Sequence, residues 1–237
     1  MKKALIIVLI STAFYACKDE NKELKTAENL YNSAKQYKDL NTTKVALNQM
    51  LLIDSTNIEY KDSLARLYMR GGNVEGGLKL AEQVDLAGKA DSKLVEMIGI
   101  AHQQMGNIEK SEKVFDRLLS ETKDYKYLYQ KMVIQYEKGN MIEFDSLSNI
   151  ILTQVETDSV MAKTTIEFPG PVSGVSQQVP LKAATLLVVG KNAYDREQNL
   201  KKAVDYYVKS VQAFDQFEMA RYFLSEIERM QMSAGRR

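Results

Sequence analysis

The side chains able to do covalent or acid–base chemistry are few in this chain, and their spacing decides against most of it. There is one histidine, His102, and one cysteine, Cys17, among 237 residues. One of each cannot complete a tetrahedral zinc site, so no metal is expected. His102 shares an apolar helical face with Val95, Ile98 and Gly99, where a packed structural role is a better reading than a ligand or a general base. The stretch Gly71-Gly72-Asn73-Val74-Glu75-Gly76-Gly77 invites a phosphate-loop reading, but no Gly-Lys-Ser/Thr ending follows it and no strand precedes it. Acidic pairs such as Glu59 and Asp62 read as helical surface charges, and nothing brings two carboxylates together across a cleft as glycoside hydrolysis requires. No catalytic residue and no cofactor are expected.

Charge and composition narrow the classes further. With 32 basic and 31 acidic side chains the formal charge is +1, so no basic field points to nucleic acid. A content of 45% hydrophobic and 27% charged residues is that of an ordinary folded protein. The N-terminus reads Met1-Lys2-Lys3, then an apolar run from Ala4 to Ala16, then Cys17. That run would rise only about 20 Å as a helix, short of a hydrocarbon core of about 30 Å, so it reads as a secretory leader and not as a permanent span. A lone cysteine cannot form an internal disulfide, and directly after Ala16 its thiol is well placed to receive lipid.

The leader resembles a bacterial lipoprotein signal, in which cleavage precedes the cysteine and the new N-terminus is acylated, with palmitate as a typical chain. It departs from that pattern at Phe14 and Tyr15, where a Leu and a small residue are usual. Lys18-Asp19-Glu20 resembles the tether of Bacteroidota-type lipoproteins. The resemblance implies a lipid anchor in the outer membrane, on its periplasmic face or at the cell surface; the alternatives are a secreted protein with a free Cys17 and a plain solvated linker.

The elements that position these residues recur. Gly72-Asn73 returns as Gly106-Asn107 and Gly139-Asn140, at intervals of 34 and 33 residues, with apolar residues at helical spacing on each side. Ala27, Leu30 and Ala34, then Val45, Leu47, Met50 and Leu51, make the first helix pair. Leu64, Ala65, Leu67 and Tyr68, then Val74, Leu78, Ala81 and Val84, make the second. The third spans Ser92 to Tyr125, and the fourth runs from Lys126 to about Glu156. The domain plan is a leader at 1–16, a tether at 17–23, repeats one to four at 24–156, a β-hairpin or loop insertion at 157–182, a fifth repeat at 183–216, and a capping helix and tail at 217–237. The insertion holds all three prolines, between Pro169 and Pro180. It reads as a passive connector or as a docking hairpin with Phe168 and Pro169 at its tip.

Leu64-Ala65, Tyr68, Gly72, Gly77 and Ala81, and Ile98-Gly99, His102, Gly106, Ser111 and Phe115, resemble the tetratricopeptide repeat. Ser55 stands where the family closes with Pro. The resemblance implies an all-α, right-handed helical-repeat solenoid of about five helix-turn-helix units. It also implies a concave groove lined by Asn32, Lys35, Arg66, Met69, Ile100, Gln103 and Ile134 that holds a protein or peptide partner. Glu28 stands where some relatives place a carboxylate-clamping lysine. The function expected is a non-enzymatic, lipid-anchored scaffold; the alternative is a surface glycan- or ligand-binding lipoprotein, disfavoured by the absence of Trp.

Overall fold

A computed structural model describes residues 21–234. The leader, Cys17 and Lys18-Asp19-Glu20 lie outside the described residues. The chain forms two compact units that divide between Asn107 and Ile108. The first holds α1 (21–36), α2 (Leu40–Ile53), α3 (Ile58–Arg70), α4 (Val74–Leu86) and α5 (Ser92–Gln104). The second holds α6 (Ile108–Thr122), α7 (Lys126–Lys138), α8 (Met141–Gln154), the short α9 (Ser159–Lys163), β1 (Thr165–Phe168), β2 (Gln177–Pro180), α10 (Leu181–Asp195), α11 (Leu200–Ala213) and α12 (Glu218–Ala234). The architecture is all-α with one antiparallel hairpin.

One device closes five helix–helix turns. A residue in the left-handed region is followed by Asn or Asp: Lys38 (φ 57°), Gly72 (84°), Gly106 (75°), Gly139 (76°) and Gln198 (51°). The backbone N–H of the next residue reaches back into the helix just ended, Asp39 to the Ala34 carbonyl, Asn73 to Tyr68, Asn107 to His102, Asn140 to Gln135 and Asn199 to Ala193. Those bonds satisfy carbonyls that a helix end otherwise leaves without a partner. The same Asp or Asn then starts the next helix. Asp39 Oδ1 accepts from the N–H groups of Asn41 and Thr42, Asn73 Oδ1 from Gly76 and Asn199 Oδ1 from Lys202. Glycine is absent at Lys38 and Gln198, where a side chain adopts the left-handed region at a cost of about 1–2 kcal/mol.

Helices within a pair approach where a side chain is missing. A Cβ built on Gly77 of α4 would lie 2.9 Å from the Ala65 carbonyl oxygen of α3 and 2.5 Å from Met69 Cγ. On α10 a Cβ on Gly190 would lie 2.7 Å from the Tyr207 ring of α11. The core of the first unit includes Ala27, Leu47, Met50 and Leu64. That of the second includes Met132, Phe144, Ile151, Tyr207 and Phe217.

The hairpin is not a passive connector. Ile166 pairs with Val179 across the two strands, and both side chains are buried in the core of the second unit. Phe168, expected at an exposed tip, instead packs its ring against Phe217 and Tyr129, with centroids 5.1 and 6.3 Å away. Alternation along the strand explains the difference: Ile166 and Phe168 share the face that meets the helices. Pro169 is exposed in the loop that follows. The first residue of α12 holds this loop, because Glu218 Oε2 accepts from the N–H groups of Val172 and Ser173 at 3.2 and 3.0 Å. Gln177 completes the clamp, its Nε2 donating to the Gln216 carbonyl and its Oε1 accepting from the Glu218 N–H.

Candidate partner-binding surface

The turn device gives each first helix a common register. Tyr68, His102 and Gln135 all stand five residues before the Asn of their turn. Each forms a polar link to the second helix of the preceding repeat: the Tyr68 hydroxyl with the Asn48 side chain, His102 Nε2 at 3.3 Å from Glu82 Oε1, and Gln135 Nε2 with Glu112 Oε1. His102 is buried and belongs to this set of straps between repeats.

Six of the seven residues expected to line a groove separate into three pairs. Asn32 and Lys35 are exposed on α1, with the Lys35 ammonium 5.6 Å from the centre of the Tyr31 ring. Ile100 and Gln103 are half-buried on α5. Arg66 and Met69 are committed to the protein itself. Arg66 Nε bonds Asp62 at 2.9 and 3.1 Å, and its terminal nitrogen reaches Asp91 Oδ1 at 2.9 Å. Burial pulls the Arg66 guanidinium down, but its bonds to Asp62 and Asp91 outweigh burial and hold it above its ordinary value. Asp91 is at once the N-cap of α5, and the Leu94 N–H, followed by Arg66, keeps its carboxyl below the usual range. Met69 lies over Gly77 at the α3–α4 crossing.

Ile134 is a correction: it is fully buried in the second unit. The interval from Gly106-Asn107 to Gly139-Asn140 is 33 residues, so the position equivalent to Ile100 is Val133 and that equivalent to Gln103 is Tyr136. One residue is about 100° of helix, enough to turn a surface side chain into the core.

With that offset the second unit presents its own surface. The Tyr136 hydroxyl donates to Asp195 Oδ2 at 2.7 Å, Lys191 also bonds that carboxylate, and Arg196 donates to the Tyr136 carbonyl at 2.7 Å. Burial alone would raise the Asp195 carboxyl; the bonds from Lys191 and Tyr136 hold it below its ordinary value. Beside this cluster an open trough runs between α10 and α12. It comprises adjoining volumes of about 430 and 210 Å³ that share Tyr194, Asp195, Ile227 and Met230. Tyr194, Tyr222 and Met230 are 36, 38 and 47% exposed, whereas Tyr207 and Ile227 at the floor are buried. These residues carried no sequence signal, because the fifth turn has Gln198 in place of glycine and its Asn199 bonds back six residues to Ala193, where the others bond back five. Allowing for that extra residue, Lys191 and Tyr194 are the equivalents of Arg66 and Met69.

Among the described residues no group of His, Cys, Asp and Glu is placed to hold a metal ion. No described helix is long and apolar enough to cross a membrane.

The fold is that of tetratricopeptide-repeat solenoids. YrrB, described as a TPR protein with an unusual peptide-binding site, is 17% identical and superposes with a TM-score of 0.57 over 90% of this chain and 98% of its own. MamA, at 14% identity, gives 0.55 over 79% of this chain and 95% of its own. PilW, a widely conserved type IV pilus biogenesis factor, gives 0.54 at 14% identity, with 91% and 89% covered. No family model and no curated protein matches the chain.

Proposed function

We propose that this protein is a non-enzymatic, lipid-anchored repeat scaffold of the bacterial outer membrane that holds a protein partner on the surface of its first helices. The observation that carries the scaffold reading is positional. Taken unit by unit, equivalent first-helix places leave side chains at the surface, Ile100 and Gln103 on α5 of the first and Tyr194 on α10 of the second, in keeping with a repeat protein that presents a recognition surface. The peptide-binding site named for YrrB supports a peptide or protein ligand over a small substrate. The lipid anchor rests on Cys17 after an apolar leader.

Fractionation tests the address. The native protein is expected to pellet with outer membranes, and Cys17→Ser to release it to the soluble fraction; a variant that still pellets rejects the lipoprotein reading. Capture from detergent-solubilised envelope tests the surface. Ile100→Asp with Gln103→Ala is expected to abolish recovery of a partner that the native protein retains. Arg66 and Met69 are left intact in that variant because they hold α3 in place.

A further inference from the structure

We propose that the trough between α10 and α12 is an anchoring site for one bulky apolar side chain of a peptide ligand that carries a basic residue beside it. The inference rests on the scaffold reading and names the chemistry of the ligand at one site.

The lining residues define the apolar part. Lys191, Tyr194 and Asp195 fall on one face of α10, and Tyr222, Glu226, Ile227 and Met230 on one face of α12. Residues 222 to 230 span about 12 Å of helix, the length of three to four residues of extended peptide. The floor is fixed, since the Tyr207 and Phe223 rings stack at 5.4 Å with 18° between their planes. The walls are adaptable, since the Tyr194 hydroxyl meets Met230 Sδ at 3.5 Å and the unbranched methionine can move aside for a guest. The recess of about 210 Å³ that Tyr194, Tyr207, Tyr222 and Phe223 wall is of the size to take one Phe, Tyr or Leu side chain, and it opens onto the adjoining volume beside Leu200.

The charged lining residues define the flanking part. Lys191, Asp195 and Glu226 are two carboxylates against one ammonium, and the Lys191 ammonium is already bonded to Asp195. Glu226 is left with Arg229, an i,i+3 surface pair at 2.8 Å whose arginine side chain is 71% exposed. Such a pair contributes little, so a basic residue on the ligand can replace Arg229 at low cost. Charge complementarity thus selects a cationic neighbour for the apolar anchor.

The test uses the full-length protein and three fluorescein-labelled ten-residue peptides, read by anisotropy. The first has a central Phe-Leu pair flanked by Lys and Arg; the second replaces the flanking residues with Glu; the third replaces Phe-Leu with Ala-Ala. The first is expected to bind at least about tenfold more tightly than either of the others, a difference that shrinks as salt rises. Met230→Asp, at a position 47% exposed, is expected to weaken the first peptide by about tenfold or more while the melting temperature, measured alongside, stays that of the native protein. Glu226→Gln should bring the basic and acidic peptides within about threefold of each other. Equal binding of the basic and acidic peptides, failure of all three to bind, or indifference to Met230→Asp overturns the inference. Self-association that Met230→Asp abolishes also overturns it, by assigning the trough to a second copy of the chain. If these peptides fail while Ile100→Asp with Gln103→Ala still abolishes partner capture, the scaffold reading stands and this site alone is rejected.

Discussion

The pairs α3–α4 and α10–α11 solve one packing problem with opposite side chains. In the first, Ala65 and Gly77 are both small, and the two backbones approach until a Cβ on Gly77 would touch the Ala65 carbonyl. In the second, Gly190 makes room for the whole Tyr207 ring. Both pairs reach the close packing of protein interiors, the first by bringing two backbones together over small residues and the second by filling the space over a glycine with a ring. The second solution also builds something the first does not. Its ring continues the core toward Phe223 of α12 and becomes the floor of the trough.

Tyr207→Ala should have the largest effect, about 3–5 kcal/mol from the lost ring and the cavity beneath it, seen as a lower denaturation midpoint of the second unit. Gly77→Leu is next, at about 1–3 kcal/mol, because the added side chain collides with fixed backbone. A Gly77→Leu protein with an unchanged midpoint would show that the α3–α4 crossing is not tight. The turns differ more gently. Gly72→Ala should cost about 1 kcal/mol at φ 84°. Gln198→Gly should gain about 0.5 kcal/mol, the relief of left-handed strain offset by a freer unfolded chain.

Acid gives the smallest change, through the hairpin clamp. The backbone N–H and hydroxyl of Ser173, with the Val172 N–H, keep the Glu218 carboxyl below its ordinary value. The folded value is the depressed one. The contribution of the clamp is therefore fully present above the ordinary Glu value of about 4.3, and is lost as pH falls through the lower folded value. Glu218→Gln should flatten that part of the pH–stability curve without altering stability near neutrality by as much as either crossing variant.

How much of this was legible depended on which physical signal each feature leaves. The recurring Gly-Asn turns were readable because a left-handed residue followed by an N-cap has few sequence solutions, and their intervals placed Ala65, Gly99 and His102 in the packing. Lys38 and Gln198 fill the same left-handed position without glycine, so the first of these turns was readable only as a polar turn near Lys38-Asp39 and the second carried no glycine to mark it. The error at Ile134 came from carrying a 34-residue interval across a repeat that is one residue shorter. The hairpin was readable as strands, but its burial was not: nothing local to Thr165–Phe168 reveals that Phe217 and Tyr129 wait on one side of it. The trough needed three helices at once, and no single stretch of sequence contains it.

On the proposed function, a partner is held on the first-helix surface. A photo-crosslinking side chain at Gln103, compared with one at Leu86, which is 88% exposed at the end of a second helix, tests it most directly in intact envelopes. One discrete adduct with a single envelope protein is expected from Gln103 and none from Leu86. Identical adducts from both positions, or none from Gln103, would contradict it.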